Sequence, residues 1–405
     1  MVWSEMIMSI EIPKEVDVLV VGMGPGGSGA ARKAAELGLK VLGVEKRAEI
    51  GAPKRCGEAI SRHGMIDRIG IEPKGPWIIQ EINGAIVYAP NGESIKIDYD
   101  EPEGWVVERK LFDKHLAKLA ALAGARVMAR TEARNFRRTD GGVNAEILTG
   151  GKTHEIKAKI VIAADGVESR VARSLGVNTS NKLTDICAGV QYEMAGAKTK
   201  GNMLEFFFGN DIAPGGYVWV FPKGEGVANV GIGVRKPWAK KPAIGYLNDF
   251  VKSRPEFREA SILEVNSGGV PVGGFLESNV ADNLIVVGDA AHHVNPIHGG
   301  GIPEAYMAGR LAAEVAAEAI RANDLSGRFL KRFDGIWDKS RGERLKKLVK
   351  VRQVMESMND EDLDWLASYL QGEDIVDISK SHGFLKLAKL LMKKPKMVKL
   401  ARRLL

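Results

Sequence analysis

The segment VGMGPGG, residues 21–27, directly follows an apolar run, 17–21, that predicts a buried β-strand. Gly22, Gly24 and Gly27 have the G-x-G-x-x-G spacing of a dinucleotide-binding fold. In that fold the first glycine makes the tight turn, the second lets the backbone approach a pyrophosphate, and the third allows close packing of the helix. The segment therefore predicts a strand, a phosphate-binding loop and a helix.

An acidic residue follows at the offset that this fold requires. The next apolar run, 40–44, leads into Glu45, which comes 18 positions after Gly27. A carboxylate at about this offset binds a ribose hydroxyl in dinucleotide folds. We therefore place Glu45, with its neighbour Lys46, in the cofactor site.

Two later segments also follow apolar runs: AADGVESR at 163–170, and GDAAHHVNP at 288–296, which closes with three glycines at 299–301. Taken singly, Asp165 and Asp289 would be ordinary turn residues. Together and in this order the segments resemble the paired motifs of FAD enzymes related to the aromatic hydroxylases, and this resemblance implies that the dinucleotide is FAD.

The three segments give these acidic and glycine positions separate roles. Asp289, at a strand end, is suited to accept a hydrogen bond from a ribityl hydroxyl, and Asp165 and Gly166 belong to the same site. Gly300, Gly301 and Ile302 lead into a predicted helix, 303–321. The amides and positive dipole end of that helix can stabilise negative charge on a reduced flavin.

The composition is that of a soluble globular protein with more than one domain. The chain has 405 residues, of which 45% are hydrophobic and 27% charged. No apolar stretch approaches the roughly 18 residues that span a bilayer, and the first twelve residues do not have the pattern of a signal peptide. Two cysteines, Cys56 and Cys187, are too few for a disulfide framework or an iron–sulfur cluster. We expect a cytoplasmic protein without a bound metal or a nucleic-acid partner.

The net charge of +7 is concentrated in the tail, because residues 378–405 contain nine Lys or Arg and no Asp or Glu. Leucines alternate with these lysines, which is typical of a basic amphipathic helix on an anionic membrane surface. The alternative is a helical pair packed on the body with a solvated lysine face. The pattern slightly favours packing and leaves peripheral membrane contact open for the outer face.

The order of predicted elements indicates an α/β fold. It combines a Rossmann-like FAD-binding domain of the aromatic-hydroxylase type with an antiparallel-sheet substrate domain and a helical C-terminal region. We assign residues 14–75, 105–175 and 280–325 to a discontinuous FAD domain. Residues 76–104 and 176–279 form the substrate domain, and 326–405 form the helical region.

The segment PGGYVWVFPKG at 214–224, followed by ANVGIG at 228–233, resembles the geranylgeranyl reductase family. So does PKRCGE at 53–58. The resemblance runs from about residue 17 to residue 321 and is closest to the archaeal digeranylgeranylglycerophospholipid reductases. It implies an FAD-dependent enzyme that saturates isoprenoid double bonds of geranylgeranyl glycerophospholipids. It also implies that Arg55, Cys56, Gly57, Arg109 and Ala133 lie near the cofactor.

Saturating an isolated alkene requires a hydride on one carbon and a proton on the other, in a site that excludes water. Tyr217, Trp219 and Phe221 alternate along a predicted strand and so share one face. This face is predicted either to wall a polyprenyl tunnel or to belong to the core. By resemblance, Cys56 is placed near the reacting carbon, as a proton donor or as a group that shapes the pocket. Tyr217 and His293 are the alternative catalytic residues.

Two other functions remain open at this stage. A monooxygenase of the aromatic-hydroxylase type shares the fold and both later motifs. A membrane-surface flavoprotein that passes electrons to quinone would use the basic tail for docking. The sequence does not identify the electron donor of a reductase, which is either NAD(P)H or a ferredoxin.

Overall fold

The structure is a computed structural model that describes residues 11–380 and 382–404. The predicted lack of a signal peptide concerns the first twelve residues, and the basic tail ends at Leu405. Both predictions therefore fall partly outside the described residues.

The described strands lie between residues 15 and 286, and most follow one another without an α-helix between them. In chain order they are β1 (Glu15–Val21), β2 (Val41–Val44), β3 (Ala59–Ser61), β4 (Ile78–Ile82), β5 (Gly84–Tyr88), β6 (Ser94–Asp98), β7 (Gly104–Val107), β8 (Arg126–Met128), β9 (Thr131–Thr139), β10 (Gly142–Thr149), β11 (Lys152–Ala163), β12 (Ile186–Ala195), β13 (Met203–Phe207), β14 (Tyr217–Pro222), β15 (Val227–Arg235), β16 (Ser261–Pro271), β17 (Val280–Ala281) and β18 (Leu284–Val286).

The described α-helices become the dominant element after β18. In chain order they are α1 (Pro25–Glu36), α2 (Arg109–Leu122), α3 (Arg170–Ser174), α4 (Ala243–Ser253), α5 (Ile302–Ala322), α6 (Gly327–Leu330), α7 (Arg332–Trp337), α8 (Glu343–Met355), α9 (Asp360–Ala367), α10 (Gly372–Ser379), α11 (Phe384–Leu391) and α12 (Val398–Ala401).

An eight-stranded sheet carries the glycine-rich loop. Its main strand order is β17-β18-β11-β1-β2-β8, and β10 and β9 extend it from β11. β1 pairs in parallel with β2 and β11, and β18 is parallel to β11. The carboxyl ends of these parallel strands therefore meet at one edge, where a ligand binds in open α/β sheets.

Small residues let α1 and α5 pack closely on this sheet. A Cβ atom on Gly309 would lie 2.0 Å from the Gly26 carbonyl oxygen, and one on Gly29 would lie 2.5 Å from the Tyr306 carbonyl oxygen. No side chain fits at these distances. The two helices consequently begin side by side at the same edge of the sheet.

The second sheet has seven strands in the order β16-β12-β15-β14-β13-β5-β6. A turn at Pro90-Asn91-Gly92 joins β5 and β6, which pair antiparallel. The antiparallel pairing expected for the substrate domain is present among β12, β15, β14 and β13, and β13 in addition pairs with β5 in parallel. A small sheet has the strand order β3-β7-β4, and its strands flank β5 and β6 of the second large sheet along the chain.

The chain beyond residue 325 is helical within the described residues, as predicted. Leu387 and Leu391 of α11 are buried with Val351 and Val354 of α8 in one apolar cluster. The side chains of Ser326 and Asn359 cap α6 and α9. In the described part of the chain no helix is both long enough and apolar enough to cross a membrane.

Candidate active site

The three glycines of the first loop have different surroundings. Gly22 has φ +94°, and a Cβ atom there would lie 2.4 Å from the Ala164 carbonyl oxygen. A Cβ atom on Gly27 would lie 1.7 Å from the Gly22 carbonyl oxygen, so α1 packs directly on its own loop. A Cβ atom on Gly24 would have no atom of the described residues within 4 Å. Of the three, only Gly24 therefore faces open space, where a pyrophosphate would lie.

Glu45 stands at the carboxyl end of β2 and is anchored by two backbone amides. Its carboxylate accepts hydrogen bonds from the amides of Met23 and Arg47, each at 3.1 Å. A carboxylate has about four acceptor positions. The side chain is thus held in place with capacity left for a ribose hydroxyl.

One cavity of about 1150 Å³ joins the edge of the first sheet to the face of the second. All of the predicted site residues line it except Gly27 and His293. The structure therefore brings together segments that are more than 200 residues apart in the sequence, as the three-motif interpretation requires.

Asp165 and Asp289 both line this cavity, and their carboxylate oxygens differ in their hydrogen-bond partners. Asp165 Oδ2 accepts the Val171 amide at 2.9 Å and so caps the turn into α3, while Oδ1 is buried without a partner among the described residues. Burial raises the pKa of both aspartates, and Arg109 partly offsets this effect at Asp289. Each carboxylate therefore leaves an acceptor that a hydroxyl or amide of a cofactor would satisfy, and the residues fit FAD.

The amino end of α5 opens onto the same cavity after the three glycines. Its cap residue, Gly301, makes no side-chain hydrogen bond to the first turn. Glu304 in that turn is 3% exposed and is held by Arg68 at 2.5 Å and by Arg341 at 2.6 Å and 2.8 Å. Two cations thus outweigh one carboxylate at this helix end, which favours an anionic ligand group.

Cys56 lies in a loop that rests on the aromatic face of β14. Its sulfur accepts the Glu58 amide at 3.1 Å, and its carbonyl accepts Gln191 Nε2 at 3.2 Å. Gln191 Oε1 in turn accepts Trp219 Nε1 at 2.7 Å. Burial alone would lower the pKa of Arg109, but Asp113 and the nearby Cys56 sulfur raise it. The thiol is therefore next to a permanent cation and faces the cavity.

A buried charge network lies beneath this loop. Glu58 is fully buried with φ +77°, and its Oε1 accepts the Arg109 amide at 2.9 Å. Its Oε2 accepts Asn229 Nδ2 at 2.7 Å and Lys223 Nζ at 3.0 Å. Lys223 also donates to Glu108 at 2.9 Å and to Glu193 at 2.8 Å. Its ammonium group is the common partner of three carboxylates.

Sequence reasoning missed Lys223, Glu108 and Glu193, although the motifs around 58 and 223 pointed to this region. Lys223 follows the aromatic run 217–221, Glu193 lies in the strand segment 190–195, and Glu108 directly precedes α2, so no common motif links the three. The pairing of β14 with β15, and of β12 with β15, brings Lys223 and Glu193 together, and Glu108, which follows β7, contacts Lys223 from the small sheet.

The aromatic face predicted from alternation is present on β14. Neighbouring ring centroids are 6.0 Å apart for Tyr217 and Trp219 and 6.5 Å apart for Trp219 and Phe221. Tyr217 Oη donates to the His298 carbonyl at 2.6 Å, and burial raises the pKa of Tyr217. Beyond these rings the cavity continues between apolar side chains of α9, α10 and α11, among them Leu366, Val376 and Leu387.

His293 is not on the cavity, which corrects its prediction as an alternative catalytic residue. Its ring is fully buried and stacks on Trp337 at a centroid distance of 4.0 Å. Burial lowers its pKa to about 3, so the ring stays neutral. The nearby His298 does line the cavity, but its Nδ1 accepts the Gly300 amide at 3.1 Å, and burial lowers its pKa to about 4.

Two family models match separate parts of the chain. Residues 17–180 match FAD dependent oxidoreductases, and residues 185–270 match the geranylgeranyl reductase catalytic domain. These ranges coincide with the strands that supply the dinucleotide loop and the aromatic face.

Curated relatives match along nearly the whole chain. Digeranylgeranylglycerophospholipid reductase 2 of Methanopyrus kandleri is 43% identical, and the match covers 96% of this chain and 100% of the relative. Digeranylgeranylglycerophospholipid reductase of Methanocaldococcus jannaschii is 42% identical, with 96% and 98% covered.

Solved structures support the fold. A geranylgeranyl bacteriochlorophyll reductase-like protein of Thermoplasma acidophilum has a TM-score of 0.89 and 35% identity, with 97% of this chain and 100% of that chain covered. A flavin-dependent brominase has a TM-score of 0.75 at 17% identity, with 95% and 100% covered, which shows a shared fold alone.

Proposed function

The chain belongs to the geranylgeranyl reductase family of FAD-dependent oxidoreductases, and from this premise we propose that it saturates isoprenoid double bonds of geranylgeranyl glycerophospholipids. The observation that carries the proposal is the continuous cavity that runs from Gly24 and Asp289, past Cys56, to an apolar wall of helices. An alkene carbon can be held beside the cofactor there while its isoprenoid chain is shielded from water.

When bound, FAD in its reduced form would supply the hydride for this chemistry. The residues that would hold it are the loop at Gly24, the carboxylates of Glu45 and Asp289, and the amino end of α5. These groups would hold a pyrophosphate, ribose and ribityl hydroxyls, and an anionic ring, respectively. The predicted Lys46, Arg55, Gly57, Ala133 and Gly166 would complete this site.

We assign the proton to Cys56. It carries a thiol on a loop that lines the cavity and contacts the aromatic face at Phe221 and Trp219. Transfer of the thiol proton to the alkene carbon opposite the hydride leaves a thiolate, which the Glu58 amide and the Arg109 guanidinium would stabilise. Tyr217 keeps its proton in the hydrogen bond to His298 and would position the substrate against Trp219 and Phe221.

The charge and surface of the tail support a peripheral contact with anionic lipid. The tail is packed on the body: Lys386 pairs with Asp374, and Lys394 and Lys396 pair with Asp362. Leu385 and Met392 remain 66% and 42% exposed next to basic side chains. We propose that this outer face meets a membrane surface, from which the lipid substrate reaches the cavity.

The direct test is anaerobic turnover by the FAD-loaded protein after chemical reduction. With digeranylgeranylglyceryl phosphate, mass spectrometry should show hydrogens added in multiples of two. Parallel reactions with NADPH and with reduced ferredoxin would identify the electron donor. Hydroxylation of an aromatic acid in oxygen, with the isoprenoid lipid unchanged, would instead establish the monooxygenase alternative.

A further inference from the structure

Two buried arginines from different parts of the fold meet on the wall of the cavity. Arg235 ends β15 of the second sheet, and Arg352 lies in α8 of the helical region. Their exposed fractions are 4% and 7%, and both line the cavity that holds the aromatic face. Arginine is almost never this buried unless its charge is paired.

The two guanidinium groups share one carboxylate. Glu356 Oε1 forms an ion pair with Arg235 and lies 3.6 Å from Arg352 Nε. Arg235 also donates to the Thr184 carbonyl. Beyond these contacts, Nε of Arg235 and Nη1 of Arg352 are buried without a hydrogen-bond acceptor among the residues that the structure describes. Asp185 is near both arginines, but it forms no ion pair with either in this part of the chain.

This arrangement leaves two cations short of partners in a buried place. Burial and the neighbouring charge of Arg235 lower the pKa of Arg352 to about 10. Burial also lowers the pKa of Arg235. Because a buried charge is costly without full pairing, an additional anion at this place would stabilise both groups.

The pair lies at one end of the aromatic face. Tyr217 is the cross-strand partner of Gly233, and Arg235 follows two residues later on the same strand. At about 3.3 Å per residue, the Cα of Arg235 is roughly 7 Å beyond the level of Tyr217. An anion bound there would have its attached apolar chain directed along the rings of β14 toward the Cys56 loop.

We propose that Arg235 and Arg352 form a subsite for a phosphate group, and that its ligand is the phosphate of the isoprenoid lipid. This inference rests on the proposed function. Guanidinium groups match phosphate oxygens in a bidentate geometry. Glu356 holds the two arginines together in the absence of the ligand, and its negative charge opposes phosphate binding.

The test compares two lipids that differ only in the phosphate, digeranylgeranylglyceryl phosphate and digeranylgeranylglycerol. Their affinities are measured by equilibrium binding to the oxidised, FAD-loaded protein, so that turnover does not contribute. R352Q should weaken binding of the phosphate lipid by roughly ten- to hundredfold, as expected for charge-assisted hydrogen bonds, and leave the neutral lipid unchanged. E356Q should tighten binding of the phosphate lipid. K350Q, an exposed position on the same helix, is the matched control and should change neither affinity.

The opposite signs for R352Q and E356Q separate a ligand subsite from a contact that only joins the sheet to the helices. If both variants weaken the binding of both lipids equally, or if R352Q leaves the preference for the phosphate lipid intact, the inference is overturned.

Inorganic phosphate should displace the phosphate lipid alone. If inorganic phosphate binds but wild-type protein has the same affinity for the two lipids, the subsite takes free phosphate. Its assignment to the phosphate of the lipid is then wrong. If the protein binds the phosphate lipid more tightly but saturates neither lipid, the proposed function is wrong and the phosphate subsite stands.

Discussion

At the scale of single residues, the contacts of Glu58 fix the conformation of the loop that carries Cys56. A left-handed backbone conformation is uncommon outside glycine and asparagine and is costly for most side chains. Here four polar partners of the Glu58 carboxylate hold it in place, namely the Arg109 amide, Asn229, Lys223 and Lys54, the last at 3.3 Å. The same residue presents its amide to the Cys56 sulfur. The geometry of the thiol therefore depends on charges several strands away.

We predict that Cys56→Ser lowers the rate of alkene reduction by about 100-fold to 10,000-fold, the usual range for a positioned acid. The hydroxyl keeps the approximate size but is a much weaker acid. The measurement is single-turnover reduction of lipid by prereduced protein without oxygen, with FAD content as the internal control. An unchanged rate at full FAD content would remove Cys56 from the mechanism.

For the cofactor loop, Gly24→Val should abolish FAD binding because the branched side chain would fill the space left for the pyrophosphate. Gly335→Val is the matched control, since Gly335 also has open space around its Cβ position but lies in α7, away from the cavity. FAD released by heat and quantified by chromatography gives the result. Normal FAD content in the Gly24 variant would show that the phosphates lie elsewhere.

The glycine pattern could be predicted from the sequence because the three positions lie within one short strand–loop–helix segment, although the space at Gly22 is limited by the distant Ala164 carbonyl. The role of Lys223 could not, since it depends on which strands become neighbours. For His293 the sequence placed the residue in the correct loop but not its ring, which turns inward to Trp337.

At the scale of elements, the helices and strands with strong periodicity were predicted close to their observed bounds. The helix predicted at 303–321 is α5, Ile302–Ala322, and the strand predicted at 217–221 is β14, Tyr217–Pro222. β16 and the strand β9 were not predicted. Both carry many polar residues, and β16 contains two adjacent glycines, so their pairing partners rather than their own composition make them strands.

The packed tail changes which basic residues should matter for lipid contact. Within the described part of the tail, Lys389, Lys399 and Arg402 are exposed and form no ion pair, whereas Lys386, Lys394 and Lys396 are paired. Each juxtamembrane cation contributes about 1 kcal/mol at an anionic surface, and salt screens it.

Changing these three unpaired residues to Gln should therefore weaken sedimentation with anionic vesicles at low salt. The charge-matched control changes Lys152, Lys200 and Lys252 to Gln on other parts of the surface. Equal vesicle binding by the two triple variants would show that the tail does not provide the membrane contact.

At the scale of the whole molecule, the Lys223 network links the small sheet, the Cys56 loop and the second large sheet. Burial alone would raise the pKa of Glu108 and Glu193, but hydrogen bonds from Lys223 hold both below their ordinary value. Such carboxylates stabilise the fold at pH values above their ordinary pKa of about 4.3. This contribution is lost as the pH falls through the lowered pKa that they have in the folded protein.

Lys223→Met should accordingly lower the free energy of unfolding by about 3 kcal/mol near neutral pH, because Glu108 loses its ion-pair partner and Glu58 and Glu193 keep only Lys54 as a cationic partner. The deficit relative to wild-type protein should shrink below about pH 4, where the carboxylates become protonated. Urea unfolding at both pH values measures it. A deficit that does not change with pH would mean that Lys223 acts through packing alone.

The central claim is that one cavity brings a reduced flavin to an unactivated alkene. The most direct measurement is the return of oxidised-flavin absorbance after anaerobic mixing of the reduced protein with digeranylgeranylglyceryl phosphate. We predict reoxidation in proportion to the double bonds saturated, and none with the fully saturated lipid. Reoxidation that requires oxygen or a quinone, with no response to the unsaturated lipid, would contradict the account.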